Sequence, residues 1–218
     1  MFGQILYTQV KWSRTAVAIL SIVTFATPAL FWRMVHEGFF GQNSAMEVMN
    51  GFEALGPMLV AFAVFAGLLL VAQPWAVDSA ARHVYPLALP LPWRKYVAMR
   101  FGAGALLLVI PAITLWLGSL LVLALIEIPA TLRGYPGTLA LRYLLGSLLA
   151  YSAVFALQYL SGRRAAHLLL GILIGLVVVA LAAEFSGNTA LLYSVVNRLI
   201  HWPGPLAVFG DSWMLIDV

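Results

Sequence analysis

From Phe101 to Ile126 the chain carries no charged side chain. A run of that length and polarity is long enough to cross a bilayer as a helix, which needs about 20 predominantly apolar residues. It is not alone. Thr15–Trp32, Leu55–Trp75, Tyr143–Leu160 and Ala165–Ala183 are further apolar runs, each flanked by charged or polar residues. Of the 218 residues, 63% are hydrophobic and 9% charged, against roughly 25% charged in soluble domains. So few charges could not cover a water-soluble surface. The sequence therefore predicts an all-α, polytopic membrane protein with five transmembrane helices: 15–32, 55–75, 101–126, 143–160 and 165–183.

The segments between and beside these runs set the rest of the layout. Residues 1–13 place Phe2, Ile5, Leu6 and Val10 near one helical face, with Gln4, Thr8, Gln9 and Lys11 elsewhere. That pattern predicts an interfacial helix lying on the membrane. The Thr15–Trp32 run is longer than a signal-peptide core and no A-x-A site follows it, so it reads as a retained helix. Pro111 lies inside the third run, where it removes one helix hydrogen bond and is expected to kink the span. Gly171 and Gly175, four apart in the fifth run, allow close helix packing. Residues 189–202 form an amphipathic stripe too short and polar to span, read as an outer interfacial or re-entrant helix that Pro203-Gly-Pro205 stops. The remainder to Val218 is too short for a sixth span.

Lysine and arginine placement sets the orientation. With the N-terminus in the cytoplasm, Lys11, Arg14, Arg82, Arg94, Lys95, Arg100, Arg163 and Arg164 fall inside. Arg33, Arg133, Arg142 and Arg198 fall outside. This arrangement suits a multi-pass protein of the cell (inner or plasma) membrane, and makes the formal charge of +4 an orientation device and a contact for anionic membrane lipids. The basic residues are scattered rather than gathered with exposed aromatics, so no nucleic-acid partner is expected.

Chemistry-bearing patterns are sparse. There is no cysteine, which removes disulfides, thiolate metal sites and cysteine nucleophiles. His36, His83, His167 and His201 are far apart and divided between the two predicted sides, so no metal site is expected. Neither GxxxxGK[ST], G-x-S-x-G nor HExxH occurs. No catalytic residue is predicted and the chain is not read as an enzyme. Glu127 and Arg142 sit at predicted outer span ends, where they serve as interface anchors or as an outer gate pair. Without charges at the span centres, a proton- or sodium-coupled carrier lacks its usual signature.

The connector 77–100 combines Asp78, Arg82, His83, Arg94, Lys95 and Arg100 with Tyr85 and prolines at 86, 90 and 92. Residues before proline disfavour helix, so Asp78–Tyr85 is predicted to be a short helix that stops there. The residues alone fit a docking surface for a soluble partner and a solvated connector equally well.

This connector resembles the loop between the second and third helices of ABC-2-type permeases, the membrane subunits of ATP-binding cassette transporters. Asp78 looks like that family's acidic residue, Leu91-Pro92-Trp93-Arg94 like its proline–arginine element, and Arg100 like the basic residue opening the third helix. The N-terminal interfacial helix and the outer helix near the C-terminus fit the family more loosely. The sixth helix that the family has is missing from the sequence. The resemblance implies a permease subunit, an exporter more than an importer, that pairs with a second permease subunit as a homo- or heterodimer. It would dock a P-loop ATPase subunit through a coupling helix bearing Asp78, Arg82, His83 and Tyr85. This chain would hold no cofactor, ATP and Mg being bound by the partner. The alternatives are a secondary transporter or channel, which needs polar residues along a path, and a non-transporting scaffold or assembly factor, which needs no docking surface in the connector.

Overall fold

The computed structural model describes residues 2–36, 45–80, 92–125 and 133–159, and beyond them 198, 201, 203, 204, 206–210, 213 and 215–217. Four long helices dominate: α1 (Phe2–His36), α2 (Ala45–Ala80), α3 (Trp93–Leu125) and α4 (Pro136–Tyr159). Two short strands, β1 (Arg133–Gly134) and β2 (Ile216–Asp217), complete the described elements. Each helix contains a stretch long and apolar enough to cross a membrane: Phe2–Leu30, Gly56–Asp78, Trp93–Leu125 and Pro136–Gln158. The protein is thus helical, with four such helices among the described residues. The predicted fifth span 165–183, with Gly171 and Gly175, lies outside them, as does all of the predicted outer helix 189–202 except Arg198 and His201.

The helices are longer than the apolar runs. α1 passes through Ser13 and Arg14 without a break, so residues 2–13 and 15–32 lie on one helix. Of the polar residues that suggested an interface, Gln9 is buried, Thr8 is half-buried, and Gln4 and Lys11 are exposed; Ser13 is buried as well. No proline interrupts α1 before Pro28. α2 takes in Glu47 and Glu53 at its start and continues through Asp78 to Ala80. α3 begins at Trp93, where the Pro92 carbonyl accepts the Lys95 and Tyr96 amides at 2.9 and 3.2 Å. Of the connector expected over 77–100, residues 77–80 thus belong to α2 and 93–100 to α3, while 81–91 lie outside the described residues. The earlier boundaries followed the charges, whereas hydrogen bonds continue a helix past its apolar portion.

The chain divides into two compact units, 1–152 with 212–218, and 153–211. In the first, α1 packs along α3 and, less extensively, along α2; direct contact between α2 and α3 is thin. Helix crossings in lipid rely on small residues and polar side chains rather than on the hydrophobic effect. At Gly67 on α2, an added Cβ would meet the Tyr151 amide nitrogen at 2.6 Å and the Ser147 carbonyl at 2.8 Å, both on α4. Gly118 on α3 lies equally close to the Phe25 backbone of α1.

Near two prolines, α1 side chains reach carbonyls of the neighbouring helices, and at Pro74 the carbonyl reached is the one that the proline leaves unpaired. Pro74 has no N–H, so the Leu70 carbonyl four residues earlier loses its helical donor. The Gln9 side-chain amide donates to that carbonyl at 3.4 Å. α3 runs through Pro111 as one helix. The Pro111 carbonyl accepts the Thr24 and Thr114 hydroxyls at 3.1 and 3.0 Å, and these hydroxyls lie 2.9 Å apart.

β1 and β2 pair antiparallel, Arg133 opposite Asp217 and Gly134 opposite Ile216. The Tyr135 amide donates to Leu215 at 2.9 Å. Trp213 and Leu215 are buried, and the Trp213 Cβ lies 3.3 Å from where a Gly56 side chain would begin. This final segment thereby ties the start of α4 to α2. In the second unit, the Gly204 amide donates to His201 at 2.7 Å and the Phe209 amide to Leu206 at 2.8 Å, turns within the described residues there.

Candidate functional site: a buried ion pair beside the connector

The site grows from two helix ends. Trp75 and Asp78 stand three residues apart at the end of α2, and Tyr96 and Arg100 four apart at the start of α3. Side chains at these spacings share a helix face. Arg100 Nη1 forms an ion pair with Asp78 Oδ2 and donates to the Tyr96 hydroxyl at 3.0 Å. The guanidinium carbon lies 5.3 Å from the Trp75 ring centre and 5.9 Å from that of Tyr96, within cation–π range. Trp93 stacks on Tyr96 at 5.7 Å. Ile5 and Leu6 of α1 pack with Tyr96, Val97, Met99 and Ala103 on the same cluster.

Burial is what distinguishes this pair. Asp78 is 1% exposed and Arg100 6%. Surface ion pairs contribute about 0–1 kcal/mol. A buried pair offsets two large desolvation terms against each other, and removing one partner costs about 3–5 kcal/mol because the other charge is stranded. The planar guanidinium is suited to this setting, since it can bond a carboxylate and face aromatic rings at once.

The structure thus joins two residues that the sequence placed in separate roles, Asp78 with the docking helix and Arg100 with the opening of the third span. Asp78 lies within α2 and its carboxylate faces Arg100 rather than solvent. Pro92 and Arg94 are exposed at the start of α3. Arg82, His83 and Tyr85 lie outside the described residues, as does Glu127, so the gate pairing with the half-buried Arg142 of α4 also falls outside them. Sequence reading missed Trp75 and Tyr96. Their signal was available in the aromatic residues three or four positions before each charge.

A second feature is an apolar groove of about 290 Å³ between α3 and α4, lined by Val109, Ile113, Trp116, Leu141 and Leu144 among others. Its walls offer almost no polar atom to orient a substrate.

No known protein family, curated protein or solved structure matches the chain.

Proposed function

We propose that the chain is the membrane-spanning permease subunit of an ABC exporter in the cell membrane. It sits with its N-terminus in the cytoplasm and couples ATP hydrolysis by a separate P-loop subunit to substrate movement. The reading is carried by one observation: a short connector that resembles the ABC-2 coupling loop joins two apolar helices. The acid and base of that resemblance, Asp78 and Arg100, meet as a buried pair where the connector begins and ends. A rigid frame of this kind suits a connector that must pass force from a soluble motor to the helices behind it.

Within this reading the roles divide. Asp78 and Arg100 hold the frame, while Arg82, His83 and Tyr85 supply the docking surface and Arg94 lies at its edge. A second permease subunit completes the transporter. The test is purification in mild detergent after expression with the ATPases of the same cell. A P-loop ATPase that co-purifies with the parent chain and is lost on Arg82→Ala/Tyr85→Ala supports the reading. Retention of no ATPase by the parent, or unchanged retention by the variant, contradicts it.

A further inference from the structure

We propose that the Asp78–Arg100 pair is a latch that makes α2 and α3 move as one unit at the end where residues 81–92 join them. This goes beyond the permease reading and does not rest on it. Three observations carry the inference. Among the described residues, α2 and α3 each contact α1 more extensively than they contact each other. The ion pair bridges that smaller interface directly, from one helix to the other. Its surroundings fix its geometry: Trp75 and Tyr96 face the guanidinium, and Ile5 and Leu6 of α1 close the cluster around Tyr96.

Moving one partner of a buried ion pair away leaves the other charge stranded. In a dry site the charge finds no water to replace the lost bond, so separation of the helix ends is opposed far more steeply than by apolar contact alone. The best-attested use of buried polar groups is to fix one arrangement among several of similar packing energy. Here the arrangement fixed is the register of the α2 end against the α3 start. A displacement of the connector would then reach both helices together instead of bending one end away from the other.

The chain has no native cysteine, so an introduced pair is unique. Val77 and Ala98 are exposed on the two helices and accept spin labels as Val77→Cys and Ala98→Cys. The labelled full chain, in lipid nanodiscs without any ATPase, is measured by pulsed electron–electron double resonance. The expected result is a narrow distance distribution for the parent and a broad or shifted one for Asp78→Asn. Asp78→Asn strands the arginine and can fail to fold, so Asp78→Asn/Arg100→Met, which leaves no charge buried alone, is the deciding arm. A broadened distribution in the folded double variant supports the latch. A distribution as narrow as the parent's overturns it, because packing alone would then hold the register. Since no partner is present, failure here leaves the permease reading standing, and absence of an ATPase partner leaves the latch standing.

Discussion

At the scale of single residues, energy concentrates where polar groups are buried. Asp78→Ala leaves the Arg100 guanidinium without its counter-charge in a site 6% exposed. Its expected cost is about 3–5 kcal/mol, read as loss of unfolding free energy in detergent. Adding Arg100→Met to that variant is expected to recover much of the loss, because the stranded charge is gone. A surface bridge would behave differently, with each single change costing about 1 kcal/mol or less. Gly67 gives a second residue-scale expectation. A side chain there meets α4 backbone at 2.6 Å, so Gly67→Leu should destabilise by at least about 1–3 kcal/mol through overpacking. The control is Gly137→Ala on α4, where an added Cβ meets nothing within 4 Å; its effect should stay within about 0.5 kcal/mol. Thermal unfolding followed by size-exclusion chromatography separates the two.

At the scale of elements, polar side chains of α1 reach backbone carbonyls of α2 and α3. Gln9→Leu removes the donor to the Leu70 carbonyl that Pro74 leaves unpaired. Interhelical hydrogen bonds in membranes average about 0.6 kcal/mol and reach about 1.7, so a loss within that range is expected, together with faster amide exchange around Leu70. The same elements show what the sequence could and could not convey. Phe101–Ile126 was legible as a span because an unbroken apolar run has few other outcomes. Residues 1–13 and 15–32 were read as separate pieces, whereas α1 runs through both as one helix with Gln9 and Ser13 buried. Which face of a long amphiphilic helix meets another helix is a tertiary fact with weak local signal. The β1–β2 pair lay further from reach, because two-residue strands separated by most of the second unit leave no periodicity. The ion pair was half legible: the connector pointed to Asp78 and Arg100, but their meeting depended on α2 running past Val77 and α3 starting before Arg100.

At the scale of the whole molecule, four helices among the described residues are long and apolar enough to cross a membrane, and the proposed orientation rests on lysine and arginine placement. The native absence of cysteine makes orientation directly measurable. His83→Cys should react with a membrane-impermeant maleimide only after the cells are opened, whereas Arg133→Cys, at the start of β1 and exposed, should react in intact cells. The reverse pattern would invert the topology and remove the connector from the cytoplasm. The central claim is that this subunit serves an ATPase through the connector between α2 and α3. Its most direct measurement is ATP turnover by the co-purified P-loop subunit in nanodiscs, with the parent chain and with Arg82→Ala/His83→Ala/Tyr85→Ala. The account predicts that the parent alters turnover relative to the ATPase alone, and that the triple variant, folded and inserted, abolishes this effect. Equal turnover with the parent chain, the triple variant and no permease at all would contradict it.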